Sequence, residues 1–101
     1  MKFFLSFTPT AKAYLKELKG SAHLEKRFKA VSKALKFLQG DPRHPSLQTH
    51  EFSSFKGPRG EKVFEAYAEQ DTPAAYRIFF FYGQQRGEIV IVAITPHPEK
   101  G

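Results

Sequence analysis

Tyr76-Arg77-Ile78-Phe79-Phe80-Phe81-Tyr82 and, after Gly83 to Gly87, the run Glu88-Ile89-Val90-Ile91-Val92-Ala93-Ile94-Thr95 decide how this chain folds. The first segment is dense in aromatic and β-branched residues, which pack well on a pleated surface. The second is apolar on both faces, as an interior strand is when both of its sides are covered. The glycines between them supply a hairpin connection. Upstream, Val63 to Glu69 alternates in part, with Val63, Glu65, Tyr67 and Glu69 on one side and Phe64, Ala66 and Ala68 on the other. That pattern predicts a strand with one wet face. Asp71-Thr72-Pro73 is a turn, Lys56 to Gly60 a loop, and Leu47 to Phe55 a short strand.

The first half of the chain reads differently. Lys2 to Phe7 is a short strand ending at Thr8-Pro9, where Thr8 can cap a helix and Pro9 fits its first position. Over Pro9 to Lys19 the residues Ala11, Tyr14, Leu15 and Leu18 fall on one helical face, with Lys12, Lys16 and Lys19 on another. Gly20-Ser21 punctuates, and Ser21 is placed to cap a second helix, Ala22 to Gln39, closed by Gly40-Asp41-Pro42. Its stripe is Leu24, Phe28, Val31, Leu35 and Leu38. At about 100° per residue, Lys26, Lys29, Lys33 and Lys36 lie within roughly 80° on the opposite side. Phe37 falls on that lysine side and has no partner in the pattern. The order is β-α-α-β-β-β, an α+β domain over residues 1–101 with a helix pair packed on one face of a four-stranded, mainly antiparallel sheet.

Composition narrows the function classes. With 101 residues, the chain leaves little room for a second domain or a deep dinucleotide cleft. It has no cysteine, which excludes disulfides, thiolate metal sites and a cysteine nucleophile and suits a reducing cytosol. His23, His44, His50 and His97 show no close ligand spacing, so no metal or other cofactor is expected. The apolar start, Met1 to Phe7, stops at Thr8-Pro9, and no stretch approaches the roughly 18 apolar residues of a membrane span. A cytoplasmic protein is expected. The net charge is +6, but residues 1–43 carry +7 and the remainder −1. A basic half of this kind suits a polyanionic partner.

Arg77 is the most informative polar residue, because a guanidinium inside an apolar strand must be paired or face an open concavity. It either pairs with Glu65 or Glu69 of the neighbouring strand, or serves as a bidentate clamp for phosphate oxygens. His97 follows the last strand between Pro96 and Pro98, and an imidazole titrates in the range useful for proton transfer. His50 and Glu51 lie together on the short strand. Lys56 and Arg59 flank a Gly-Pro loop. No Ser/His/Asp set, glycosidase-like carboxylate pair or P-loop is evident. Arg, His, Lys and one Glu suit metal-free RNA cleavage, in which a base takes the 2′-OH proton, an acid protonates the leaving oxygen and cations hold the phosphorane charge.

The β-α-α-β-β-β order, Asp41-Pro42-Arg43 leading to Leu47, then His50-Glu51-Phe52 with Lys56-Gly57 behind it, the Tyr76-Arg77-Ile78 strand and Ile89 to Ile94 ending near His97 together resemble the RelE/ParE toxin superfamily of bacterial toxin–antitoxin systems. The resemblance covers nearly the whole chain. It implies a ribosome-dependent messenger-RNA endonuclease, needing no metal, that inhibits translation. Arg77 would stabilise the phosphorane, His97 would act as general acid, Glu51 or His50 as base, and Lys56 as a second phosphate contact. Lys12, Lys16, Lys19, Lys26, Lys29, Lys33, Lys36 and Arg59 would hold RNA. Implied partners are the ribosome, its message and a small acidic antitoxin. ParE-type members, which inhibit DNA gyrase, are the alternative, and a non-catalytic RNA- or protein-binding module on the same fold is a third. The chain differs from many nuclease members in having Phe64 where Trp is frequent, a longer Lys56 to Glu61 loop, and Pro98-Glu99-Lys100-Gly101 where an aromatic often follows the His.

Overall fold

Thr8 is extended, its Oγ1 accepts a hydrogen bond from the Ala11 amide at 3.1 Å, and Pro9 occupies the first turn, where no amide is needed. This cap separates strand β1 (Phe4–Phe7) from helix α1 (Pro9–Gly20). Thr8→Ala is expected to cost about 1 kcal/mol, visible as a lower urea midpoint with an unchanged slope. The structure, a computed structural model, describes residues 2–70 and 74–96.

A second helix does follow, but not from Ala22. Ser21 makes no side-chain capping bond; the Leu24 amide instead donates to the Ser21 carbonyl at 3.0 Å, forming a 3-10 turn over Ala22–Leu24. Helix α2 then runs Glu25–Gly40. Phe37 finds its partner in His44, stacked at 4.0 Å with the rings 10° apart. That contact exists because Asp41 to Pro45 folds back over the end of α2.

Four further strands follow: β2 (His50–Lys56), β3 (Lys62–Tyr67), β4 (Tyr76–Tyr82) and β5 (Glu88–Pro96). They form one sheet with β1 in the order β1-β5-β4-β3-β2. The sheet therefore has five strands where four were expected. The β-α-α-β-β-β order counts one strand too few, since the short strand expected over Leu47 to Phe55 is present in addition to the other four: it begins as a 3-10 turn burying Leu47 and pairs antiparallel with β3 from His50 onward. The β3–β4 and β4–β5 pairings are antiparallel as well, and β1 joins β5 in parallel. The Glu88 run is an interior strand, flanked on both sides as its two apolar faces require.

Both helices cover one face of the sheet. There Ala11, Leu18, Val31, Ala34 and Leu38 pack against Ala66, Ile78, Phe80, Ile89, Ile91 and Ile94. The other face carries a smaller cluster of Val63, Phe79 and Phe81 with Phe52, Val90, Val92 and Ala93. A register shift lets β5 serve both. Phe79 faces Ala93 and Phe80 faces Ile91, so Val92 is an extra residue that resets the alternation. Without it, Ile94 could not share the helix side with Ile89 and Ile91. None of the helices among the described residues is long and apolar enough to cross a membrane.

Candidate functional site

Directly opposed residues of antiparallel strands share a face. Tyr67 is opposite Arg77, Glu65 opposite Phe79 and His50 opposite Glu65. Phe79 belongs to the helix-free cluster, so His50, Glu65, Tyr67 and Arg77 stand together on that face, near one end of the sheet. The wet face expected for β3 is thus a covered one: Val63 and Glu65 are both 1% exposed. Glu65 is buried because strands on either side bring it partners.

His50 Nε2 lies 2.8 Å from Glu65 Oε1, and His50 Nδ1 lies 3.0 Å from the Gln48 carbonyl oxygen. On the other side Arg77 Nε is 3.7 Å from Glu65 Oε2. The guanidinium carbon sits 3.8 Å from the centroid of the Tyr67 ring, and Nη1 donates to the Glu69 carbonyl at 3.1 Å. Nε finds no hydrogen-bond partner among the described residues, so its attraction to Glu65 is one of charge. The Arg77 side chain is 12% exposed. The His50 ring meets Tyr67 edge-on at 5.8 Å. Glu69 adds a link to the helix layer, with its carboxylate 3.5 Å from Arg27 Nε.

Of the two readings of Arg77, the structure shows the pairing: it lies beside Glu65 and bonds the Glu69 backbone, but on a covered face rather than toward solvent. Glu51 and Lys56 lie elsewhere. Glu51 is opposite Phe64, which packs with the helix-side core, and its carboxylate is 3.9 Å from Lys56 Nζ. The structure thus brings His50 to Arg77 and leaves Glu51 and Lys56 paired with each other, away from that cluster.

Arg59 is at the far end of the sheet, in the β2–β3 turn, where its amide and guanidinium both engage Glu61. The Glu61 carboxyl is held below its ordinary range, chiefly by that amide bond from Arg59. The Gly57 and Gly60 amides bond carbonyls within the same turn, so the Gly-Pro loop is a closed hairpin and not a phosphate cradle. Lys12, Lys16, Lys19, Lys26, Lys29, Lys33 and Lys36 are all exposed. They lie on the helix layer, on the opposite side of the sheet from Arg77. His97 lies outside the described residues. The last described residue, Pro96, is opposite Tyr76, and Thr95 is opposite Arg77.

Glu65 and Tyr67 are the members of this constellation that sequence reasoning did not place at a site. The available signal was the pairing of Arg77 with an acidic residue one strand away. Alternation alone put that acid in water.

No protein-family model matches the chain, and no curated protein matches it in sequence. Solved structures do match it in fold. It is similar to a YoeB/ParE toxin from Agrobacterium tumefaciens, at a TM-score of 0.68 and 9% identity, over 97% of this chain and 100% of that one. It is similar to a chain of the archaeal RelE-RelB complex from Pyrococcus horikoshii, at 0.64 and 14%, over 98% and 99%. It also matches a heterotetrameric YoeB-YefM toxin-antitoxin complex from Staphylococcus aureus, at 0.64 and 13%, over 97% and 100%. The fold is that of the RelE/ParE toxin superfamily, as the sequence resemblance implied.

Proposed function

We propose that this chain is the toxin of a toxin–antitoxin pair and cuts messenger RNA on the ribosome without a metal ion. The observation that carries the reading is Arg77, stacked on Tyr67 on the helix-free face and set beside His50 through a shared carboxylate. Fold relatives that are toxins, some of them in complex with antitoxins, support the biological setting.

In the proposed reaction the 2′-oxygen attacks the adjacent phosphorus and the bond to the 5′-oxygen breaks. Arg77 holds the non-bridging oxygens as charge accumulates on them. His97 protonates the departing 5′-oxygen. The 2′-OH proton goes to His50, which stands on the Arg77 face at the start of edge strand β2; Glu51, the other candidate base, is on the opposite face. Positioned acid catalysis contributes about 10²–10⁴-fold, so His97→Ala is expected to slow cleavage by that order with binding nearly unchanged. The test is to incubate the chain with translating ribosomes and map message ends, beside a gyrase supercoiling assay. Codon-phased cuts support the nuclease. Inhibited supercoiling without cuts supports a ParE-type inhibitor, and neither activity leaves a binding module.

The lysine rows face away from Arg77, so in this reading they grip ribosomal RNA or an acidic antitoxin and not the scissile strand. Replacing Lys26, Lys29, Lys33 and Lys36 with Gln is expected to weaken RNA binding. It should also flatten the log–log salt dependence by roughly 0.7–0.9 for every phosphate that is no longer neutralised. Equal affinity and slope in a salt titration of both proteins would exclude a direct role.

A further inference from the structure

On the helix side of the sheet, where the segment after α2 folds back toward β3 and β4, Arg43, His44, Gln48, Thr49, Phe64 and Tyr82 line a cavity of about 340 Å³. It is separate from the Arg77 cluster. Phe64 is opposite Phe80, and Tyr82 meets both rings, so the aromatic wall is on the face away from Arg77. Arg27, Arg59 and Arg77 stand 3.5, 3.8 and 3.7 Å from a carboxylate oxygen. Arg43 differs: its amide bonds Asp41 Oδ1 at 2.9 Å, but no carboxylate among the described residues pairs with its exposed guanidinium. The walls around it are fixed. His44 stacks on Phe37, and its Nδ1 accepts from the Ser46 amide at 3.0 Å. Thr49 Oγ1 donates to the Pro42 carbonyl at 2.7 Å. Gln48 holds a left-handed backbone, φ 47°, that side chains rarely adopt, and its amide donates to Gln70 Oε1 at 3.0 Å.

We infer that this cavity holds one nucleotide of a single-stranded nucleic acid, with its base against Phe64 and Tyr82 and its phosphate on Arg43. Every base has a flat face that stacks on aromatic rings, and a guanidinium fork matches phosphate oxygens. An acidic peptide would use Arg43 but brings no flat ring to the aromatic wall. The volume lies at the lower end of the range for small-molecule pockets, about 300–1,000 Å³, which suits a single nucleotide. Two acids stand near these walls, and both are engaged: Asp41 by the Arg43 amide, and Glu51, opposite Phe64, by Lys56. Burial holds the Tyr82 hydroxyl above its ordinary pKa, so at neutral pH it stays protonated and can donate to the strand. Binding here requires no cleavage, so the inference does not depend on the nuclease reading.

The test is a salt titration of the full chain by fluorescence anisotropy. The probes are a short labelled uridine oligomer with 2′-O-methyl sugars, which has no 2′-OH to attack, and the matching thymidine DNA. Tyr82→Leu is expected to weaken binding about 5–150-fold, the range for one lost base–aromatic stack, with the salt slope unchanged. Arg43→Gln should weaken binding and also flatten the log–log slope by about 0.7, the value for one phosphate of a single strand. Lys62→Gln removes the same charge from an exposed residue outside the cavity and serves as the control. Equal losses in Arg43→Gln and Lys62→Gln, or wild-type binding by Tyr82→Leu, would overturn the proposal. So would binding of neither oligomer, or displacement by an oligoglutamate peptide whose binding depends on Arg43 but not on Tyr82. Tighter binding of the uridine oligomer assigns the cavity to RNA, and equal binding assigns it to either strand. If Tyr82→Leu fails to fold, amide shifts of the 15N-labelled wild type decide. They should move over residues 43–49 and at Phe64 and Tyr82 when the oligomer is added, and movement confined to α1 and α2 would overturn the inference.

Discussion

Arg77→Ala is expected to abolish codon-phased cleavage and to destabilise the fold in the same step. An arginine that neutralises transferring phosphoryl charge is worth about 10³–10⁵ in rate, so the residual activity should fall near background. The structural cost has a separate origin. Glu65 would lose the guanidinium beside it, and removing one member of a buried ion pair typically costs about 3–5 kcal/mol. The lost stacking on Tyr67 adds to this. Two further variants separate chemistry from folding. Arg77→Lys retains a charge but neither the planar fork nor the stack, so most of the rate should still be lost. Arg77→Ala combined with Glu65→Gln relieves the stranded carboxylate and should recover much of the stability without recovering the rate. Mapping message ends for all three, beside their thermal melts, checks the argument. Wild-type cleavage by Arg77→Ala would remove Arg77 from the reaction.

The same cluster shows why some of this protein was legible in its sequence and some was not. The Glu88 to Thr95 run was readable because burial on both faces leaves an apolar signature that does not depend on which neighbours supply it. Thr8-Pro9 was readable because capping is a local affair between residues three apart. The bulge at Val92 was not, since an extra residue in a uniformly apolar run changes no local pattern and becomes visible only through the register of Phe79 and Phe80. Strand His50–Lys56 showed no clean alternation, because it lies at the edge of the sheet with most of its side chains exposed. That is why its start was set at Leu47, three residues before the pairing with β3 begins.

Glu65 failed for the opposite reason to Val92. Its local pattern was clear and pointed the wrong way, toward solvent. A carboxylate tolerates burial only where charge and hydrogen bonds compensate it. The compensation here comes from His50, on the edge strand at one side, and Arg77, on the strand at the other. Phe37 was likewise unreadable until His44 turned back to stack on it. The site as a whole is therefore a product of sheet register, which places three strands' side chains on one face, and the sequence carried its parts without their assembly.

Phe80→Ala should be the most destabilising single change in the core between helices and sheet. Phe80 is 0% exposed. Its ring lies 5.7 Å from Phe64, with 25° between planes, and 5.7 Å from Tyr82, nearly perpendicular. Burial also pushes the Tyr82 hydroxyl above its ordinary pKa, so this ring stays uncharged at neutral pH. Truncating a buried Phe costs about 3–5 kcal/mol, because the transfer free energy is lost and the rigid surroundings leave a cavity. Domains of this kind total about 5–15 kcal/mol, and each kcal/mol shifts the midpoint of a chain this size by about 4–8 °C. A fall in Tm of about 12–40 °C follows from those two ranges. Phe55 provides the control: it is 42% exposed and rests on the thinner helix-free cluster through Phe52 and Phe79. Phe55→Ala should stay within about 1 kcal/mol. Urea titrations of the two variants give the difference directly. Comparable losses would mean that the two faces of the sheet contribute equally, and that the helix-free face, where Arg77 sits, is a second core and not an open platform.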